Sequence, residues 1–213
     1  MWYTIAAMRA EPDRDFWHPP TIEGRGVVLR RPRADDLPAV ERWYRDPELA
    51  RLTRYQVRPM ATAEVDRFFR TRLLSADALA YAIEERPGGR FVGFTTFSAL
   101  DADNGSVLFH ITIGERHAWG RGLGTETADL MLRHAFERLA LHRVGLSVFS
   151  FNERAIRSYE KVGFRAEGRL RDAILRDGRY WDEVQMGILR DEWLSRRHDT
   201  ADQRMTAAES AAR

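Results

Sequence analysis

The chain has 213 residues, enough for one large domain or two small ones, and its hydrophobic fraction of 44% suffices for a buried core. Its 34 basic and 32 acidic residues leave a formal charge of +2 and a pI near 9.2, but they are interleaved, which argues against a nucleic-acid-binding protein. The absence of cysteine excludes disulfides, thiolate metal sites and a cysteine nucleophile.

The two ends of the chain differ in composition from the part between them. Residues 1–20 are predicted to form an extended arm, and residues 198–213 a polar, alanine-rich tail that is disordered. The apolar run over residues 1–8 is too short for a secretion signal or a membrane span. We therefore expect residues 21–197 to form one cytoplasmic domain that binds no membrane.

Alternating and helical apolar patterns predict the elements of the first half. A strand over Val27–Arg30 precedes a helix that begins at Ala34, with acids in its first turn, and ends near Arg45. A second helix begins at Thr62, since apolar residues recur on one face after it. Pro-Gly-Gly and Asn-Gly sequences then predict turns between three strands. The apolar face comprises Val65, Phe68, Phe69 and Leu73, and the strands span Leu79–Glu84, Phe91–Phe97 and Val107–Ile113.

The second half predicts two helices and three strands. After a glycine-rich loop, one helix carries an apolar stripe with the spacing of a core-facing surface. A buried strand, Val144–Phe149, leads to a helix over Asn152–Val162 that Gly163 ends. An Asp-Gly hairpin turn joins two closing strands. The whole pattern predicts an α/β fold in which helices pack on a mixed sheet. The stripe comprises Ala128, Leu132, Ala135, Phe136 and Leu139.

The loop before the first of these helices reads Trp119-Gly120-Arg121-Gly122-Leu123-Gly124-Thr125-Glu126. Its amides converge at a helix N-terminus, where a pyrophosphate fits, and the Arg121 side chain could add a positive charge. The three glycines could also form only a tight connection. A phosphate-binding Walker A loop is excluded because it needs a lysine followed by Ser or Thr. A dinucleotide-binding site is disfavoured because the next strand contains no acid.

A second segment, about thirty residues later, decides among these interpretations. It reads Phe151-Asn152-Glu153-Arg154-Ala155-Ile156-Arg157-Ser158-Tyr159-Glu160-Lys161-Val162-Gly163-Phe164. The two segments resemble the paired cofactor-binding motifs of the GNAT superfamily of N-acetyltransferases. The residues of the two segments are similar to those of the ribosomal-protein N-acetyltransferase (RimJ/RimL-like) branch, which includes polyamine acetyltransferases. The resemblance is strong from Gly105 to Trp193 and extends more loosely back to Val27.

The resemblance implies a fold and a reaction. The fold is a mostly antiparallel, twisted sheet of six to seven strands with one splayed pair, flanked by about four helices. The reaction moves an acetyl group from acetyl-CoA to a primary amine by direct attack, without a metal.

The resemblance also assigns cofactor contacts residue by residue. It implies that backbone groups at Ile111, Thr112 and Ile113 pair with the pantetheine arm, while loop amides hold the pyrophosphate. Asn152 matches an asparagine that bonds the pantetheine amide, although asparagine is also a good helix N-cap. Trp119 stands where the motif usually has Gln or Arg. The remaining implied cofactor-binding residues are Gly120, Arg121, Gly122, Leu123, Gly124, Thr125, Ala155, Ser158 and Tyr159.

The catalytic assignments are less complete. Tyr159 matches the family's general acid, which protonates the departing thiolate; the alternative is an aromatic packed on the inner face of its helix. The general base stays open, because many relatives carry a glutamate where this chain has Leu108. His110 lies on the same side of that strand and has a suitable pKa, although such a histidine is often only packed. Glu115 is a second candidate, although a loop acid is often only solvated.

The acceptor is predicted to contact the first two helices and the loop between them. That loop, Asp46–Met60, holds Arg51, Arg54, Tyr55 and Arg58, which would suit a carboxylate or an acidic peptide. These residues could equally be a solvated surface or hold the 3′-phosphate of CoA. We expect a protein N-terminus or a small amino compound. A non-catalytic acyl-CoA-binding sensor is the alternative, and Tyr180 with Trp181 could form a homodimer contact.

Overall fold

The computed structural model describes residue 15 and residues 18–75 and 78–197. Most of the predicted arm and all of the predicted tail therefore lie outside the described residues. Within the described part, one eight-stranded sheet connects the first strand to the last. No helix among these residues is both long enough and apolar enough to cross a membrane.

The sheet is mixed and almost entirely antiparallel. The prediction of six to seven strands missed the first strand, because three residues are too few to show an alternating pattern. The strands are β1 (Thr21–Glu23), β2 (Val27–Arg30), β3 (Leu79–Glu85), β4 (Arg90–Asp101), β5 (Ser106–Ile113), β6 (Arg143–Phe149), β7 (Arg165–Arg176) and β8 (Arg179–Leu189). Their order in space is β1-β2-β3-β4-β5-β6-β8-β7, and β5 with β6 is the parallel pair.

Six helices accompany the sheet in the described part of the chain, two more than predicted. One of the additional helices interrupts the predicted acceptor loop, because Pro47 suits a first helical position and Asp46 Oδ1 accepts the Glu48 N–H at 2.9 Å. Single π-turns extend two of the helices. The helices are α1 (Leu37–Arg45), α2 (Pro47–Thr53), α3 (Thr62–Phe68), α4 (Leu123–Arg133), α5 (Glu153–Val162) and α6 (190–197).

The helices cover both faces of the sheet. On β3, Ala80 packs with α1 and α3, whereas the next residue, Tyr81, packs with α4, as the alternation of a strand requires. The predicted stripe of α4 and its extension is buried, which confirms that this helix forms the larger core. Its residues Ala128, Leu132, Ala135, Phe136 and Leu139 are each 0% or 1% exposed.

The parallel pair splays, as the resemblance implied. β5 and β6 pair at three positions near their beginnings, the last of them Leu108 with Gly145. β5 nevertheless stays paired with β4 as far as Ile113. A gap therefore opens between residues 109–113 of β5 and the end of β6, and the glycine-rich loop lies beside it.

The predicted homodimer contact lies on the hairpin of β7 and β8. Tyr180 is exposed there, but Trp181 packs edge-on against Phe151, with ring centroids 5.5 Å apart. A dimer through this hairpin stays a prediction.

Candidate active site

The glycine-rich loop between β5 and α4 leaves free space beside its backbone. Gly120 and Gly122 have φ angles of +73° and +82°, which side-chain-bearing residues rarely adopt. A Cβ atom added at either position would meet no heavy atom within 4 Å. Gly122 is the N-cap of α4, so the amides of the first helical turn and the helix dipole favour an anion there.

Side-chain contacts hold this loop in place. The Trp119 Nε1–H donates to the Ile113 carbonyl at 2.8 Å, and the Arg154 guanidinium lies 4.2 Å from the centroid of the tryptophan ring. Arg121 Nη1 donates to Glu85 Oε2 at 2.7 Å. A hydrogen bond from His117, and then one from Arg121, hold the pKa of Glu85 below its usual range. The Arg121 side chain therefore anchors the loop to β3.

Every second residue of β5 directs its backbone N–H and C=O toward the gap. The Gly114 N–H donates to the Val92 carbonyl of β4 at 2.8 Å, whereas the Ile113 carbonyl points away and accepts from Trp119. Because successive residues of a strand direct their backbone groups to opposite sides, Ile111 presents its N–H and C=O to the gap. Thr112 directs its own toward β4. Of the three predicted pantetheine contacts, Ile111 and Ile113 thus offer backbone groups on the open side.

The helix of the second motif begins at Asn152. Its Oδ1 accepts the Ala155 N–H at 3.3 Å, which is an N-cap, while its Nδ2 lies 3.4 Å from the Leu52 carbonyl. The capping role is therefore present in the structure. Thr125 Oγ1 and Ser158 Oγ lie 2.5 Å apart, so a hydrogen bond connects the start of α4 to α5.

Tyr159 of α5 lines two cavities. The loop-side cavity, about 320 Å³, lies against the glycine-rich loop, and the strand-side cavity, about 690 Å³, lies against β4, β5, β6 and β8. Five residues line both, namely Leu52, Thr53, Ile111, Asn152 and Tyr159. Among the predicted cofactor residues, those lining the loop-side cavity are Ile111, Ile113, Trp119, Gly120, Gly122, Leu123, Gly124, Thr125, Asn152, Ala155, Ser158 and Tyr159.

Tyr159 lies where the two cavities meet. Its ring packs edge-on against Phe109 and Phe164, with centroids 6.2 and 5.9 Å away. Burial raises the pKa of its phenol, so the hydroxyl keeps its proton at neutral pH. Within the described residues, that hydroxyl has no hydrogen-bond partner. It is therefore available to a group in the cavities.

His110 lines the strand-side cavity together with Leu108. Its Nε2 lies 2.6 Å from Ser98 Oγ, within hydrogen-bond distance. The residue is exposed toward the cavity, but partial desolvation of its ring, and to a lesser degree the positive charge of Arg72, lowers its pKa below 6.5. His110 is thus neutral at pH 7 and able to accept a proton.

Glu115 occupies a different environment. Its carboxylate accepts hydrogen bonds from Trp43 Nε1, at 3.0 Å, and from Arg42, and it lines neither of the two cavities. Burial alone raises its pKa, but these two donors outweigh that effect and hold it below the usual value. Its contacts stabilise the chain between β5 and the loop.

The basic residues predicted to face an acceptor are mostly engaged elsewhere. Arg51 pairs with Asp177 at 2.9 Å and Arg58 with Glu64 at 2.8 Å, and Arg54 lies over the Tyr44 ring. Arg51 and Arg58 are thus paired with carboxylates of the protein, and Arg54 contacts Tyr44.

Several residues that line the cavities were not predicted from the sequence. In the loop-side cavity the charged ones are three basic residues on one face of α5, and their spacing of three and four residues is a signal that could have found them. In the strand-side cavity, Glu183 and Arg72 carry charge, and nothing local in the sequence marks them. The three basic residues of α5 are Arg154, Arg157 and Lys161.

Among the described residues, no group of three or more His, Asp or Glu side chains is arranged to hold a metal ion. The positive charge beside the loop-side cavity comes from arginine and lysine. The geometry thus provides an anion-binding loop, a strand gap with free backbone groups and a tyrosine between two cavities.

Comparison with known proteins finds relatives that are similar in sequence. The SPbeta prophage-derived uncharacterized N-acetyltransferase YokL of Bacillus subtilis (strain 168) is 35% identical over 102 residues, which are 48% of this chain and 57% of YokL. The spermidine N(1)-acetyltransferase of Vibrio cholerae is 31% identical over 105 residues, which are 49% of this chain and 60% of that protein. The chain thus spans less than two thirds of the length of either relative.

A solved structure agrees with the fold. The spermidine N-acetyltransferase from Vibrio cholerae, in complex with CoA and spermine, superposes with a TM-score of 0.70 and 22% identity, covering 79% of this chain and 98% of that one. At this identity the superposition shows the fold alone. The acetyltransferase (GNAT) domain matches residues 27–165, a range that covers more than half of the chain and contains both motifs. The chain therefore belongs to the GNAT family of acetyltransferases.

Proposed function

We propose that this protein transfers an acetyl group from acetyl-CoA to the primary amine of a small amino compound or a protein N-terminus. The observation that carries the proposal is the position of Tyr159 between two cavities, one against the glycine-rich loop and one against the strands. A donor entering from the loop side and an acceptor entering from the strand side would meet at this residue.

The loop-side cavity has features that suit acetyl-CoA. The amides of Arg121, Gly122, Gly124 and Thr125 would hold the pyrophosphate, since free space surrounds the glycines. The basic face of α5 would add positive charge. The Ile111 carbonyl and the Ile113 N–H would pair with the pantetheine arm in the strand gap. Acetyl-CoA supplies an acetyl group activated as a thioester.

The residues around the gap would carry out the proton transfers. The Ile111 N–H would donate to the acyl oxygen and stabilise the negative charge that develops there. His110 lines the same strand-side cavity and would accept, through water, the proton that the attacking amine releases. Tyr159 would donate its hydroxyl proton to the departing sulfur, since the hydroxyl keeps its proton at neutral pH and makes no hydrogen bond to a described residue. The proton donor and the proton acceptor both line the strand-side cavity.

Thiol release in the presence of acetyl-CoA tests this function. The wild-type protein would be assayed against amino acids, short peptides with free N-termini, and polyamines, with acetylated products identified by mass spectrometry. Acceptor-dependent thiol release with a matching acetylated product supports the proposal. Tight acetyl-CoA binding without turnover on any amine would contradict it and favour a sensor.

A further inference from the structure

We infer that the acceptor is an amine that also carries a carboxylate, with Glu183 binding its ammonium group and Arg72 its carboxylate. The inference rests on the proposed function and specifies the substrate class of the same strand-side cavity. It comes from two charged side chains at different ends of that cavity.

Glu183 is a buried carboxylate that faces the cavity without a cationic partner. It is 4% exposed, and its described hydrogen bond is from the Tyr55 hydroxyl at 2.6 Å. The buried Arg176 gives its hydrogen bonds to the carbonyls of Arg54 and Tyr55. In the part of the chain that the structure describes, Glu183 makes no ion pair. A buried carboxylate is costly unless it is paired, so this site favours a cation such as an ammonium group.

Arg72 places a positive charge at the other end of the cavity. It lies in the turn that extends α3, lines the cavity and lowers the pKa of His110 by its charge. Arg70, two residues earlier, pairs with Asp66 at 2.9 Å, but Arg72 makes no ion pair with any described residue. Because His110 is neutral at pH 7, Arg72 is the cation that an anionic group in this cavity would meet.

Eight Phe and Tyr side chains line the cavity that holds these two charges. Glu183 is on β8, whereas Arg72 neighbours His110 on β5, and β6 lies between those two strands. The two charges therefore lie on different sides of the gap between β5 and β6. An apolar body would therefore join the two ends of the acceptor. The aromatic residues that line the cavity are Tyr44, Tyr55, Phe68, Phe94, Phe97, Phe109, Phe149 and Tyr159.

The charges disfavour a polyamine. Glu183 is the one carboxylate among the described residues that line this cavity. A second ammonium group on the acceptor would approach Arg72 and be repelled, whereas a carboxylate would be attracted.

Four amines test the inference with the wild-type protein, by thiol release from acetyl-CoA. They are 4-(2-aminoethyl)benzoate, phenethylamine, 4-(2-aminoethyl)benzylamine and spermidine. We expect a kcat/KM for the benzoate at least 10-fold above that for phenethylamine, and lower values for the benzylamine and spermidine. Equal or better rates with phenethylamine or spermidine would overturn the inference and leave the proposed function intact. No thiol release with any amine would overturn both.

Variants that change the charge of Arg72 or Glu183 test which residue binds each end of the acceptor. Arg72→Glu should remove the preference for the benzoate and favour the benzylamine, whereas the matched control Arg70→Glu should keep the wild-type preference. Glu183→Gln, which can still accept the Tyr55 hydrogen bond, should raise KM for all amines at least 10-fold. Acetyl-CoA binding by each variant confirms that it is folded. Tyr55→Phe removes the hydroxyl that donates to Glu183 and should raise KM by a smaller factor than Glu183→Gln does. An unchanged preference in Arg72→Glu, or an unchanged KM in Glu183→Gln, would overturn the inference.

Discussion

At the scale of single residues, Tyr159 combines a ring held by packing with a hydroxyl that is not hydrogen-bonded to a described residue. Phe109 and Phe164 hold the ring from two sides, while the hydroxyl has no partner among the described residues. Burial raises its pKa, so the group is a proton donor at neutral pH and a poor anion. Its contribution can be measured without disturbing the fold, because the ring contacts do not need the oxygen.

Tyr159→Phe should lower kcat by about 10²- to 10⁴-fold, the usual contribution of a positioned general acid. Acetyl-CoA affinity and the thermal unfolding midpoint should stay close to those of the wild type, since no hydrogen bond within the described structure is lost. Steady-state thiol release, calorimetric binding and thermal unfolding measure the three quantities. A variant with wild-type kcat would show that Tyr159 is only a packed aromatic.

The lowered pKa of His110 predicts how kcat/KM and stability depend on pH. Desolvation, and to a lesser degree Arg72, lower its pKa below 6.5, and a base acts in its neutral form. We therefore expect kcat/KM to rise with pH through that lowered pKa and to show no further His110 titration above pH 6.5. The unfolded chain binds this proton more readily than the folded one, so His110 also makes unfolding easier as the pH falls below 6.5.

The variant His110→Gln tests whether His110 is the general base. It should lower kcat/KM by about 10²-fold or more and abolish the acidic limb of the pH profile. The matched comparison is the pH profile of Arg70→Ala, which lines neither cavity. If His110→Gln keeps both the rate and the acidic limb, another group is the base.

At the scale of elements, the start of α5 has two roles that substitution can distinguish. Asn152→Asp keeps an acceptor for the Ala155 N–H and loses only the long contact of Nδ2 with the Leu52 carbonyl, so it should lower the free energy of unfolding by less than Asn152→Ala, which should lose about 1 kcal/mol. Asp lacks the amide donor, so it should bind acetyl-CoA at least about 5-fold more weakly, the worth of one hydrogen bond. Urea unfolding and calorimetry measure these effects. Wild-type affinity in Asn152→Asp would leave only the capping role.

The end of the same helix depends on glycine. Gly163 has a φ of +110°, and an added Cβ would lie 2.9 Å from Ile188 Cδ1 and 3.0 Å from Arg196 Cδ. Gly163→Ala should therefore destabilise the protein by about 1–3 kcal/mol in urea unfolding. Gly168→Ala is the matched control, because a Cβ there meets nothing within 4 Å, and its effect should stay within about 0.5 kcal/mol. Equal effects of the two substitutions would contradict this account of the helix end.

Elements with strong local signals were predictable from the sequence. The stripe on α4, the glycine after α5 and the Asp-Gly hairpin each depend on residues close together in the chain, and the structure has all three. The first strand and α2 were missed, because three and seven residues give little periodicity. The splayed pair followed from the resemblance, since no local pattern specifies where two strands separate.

At the scale of the whole molecule, the sheet brings distant parts of the chain to one place. The loop after β5 and the helix α5 form one cavity, and β4, β5, β6, β8 and the end of α3 form the other. Glu183 and Arg72 are far apart in sequence, and packing alone places both on one cavity. Sequence reasoning therefore found the loop and Tyr159 but not these two charges.

The central claim is that the glycine-rich loop binds acetyl-CoA, and calorimetry on three proteins tests it directly. Gly122→Trp places a large side chain in the free space beside the loop, and Gly88→Trp is the matched control, since that glycine also has positive φ and open surroundings but lies outside both cavities. We predict that the wild type and Gly88→Trp bind acetyl-CoA and that folded Gly122→Trp does not. Folded wild-type protein that fails to bind acetyl-CoA, or equal binding by all three proteins, would contradict the account.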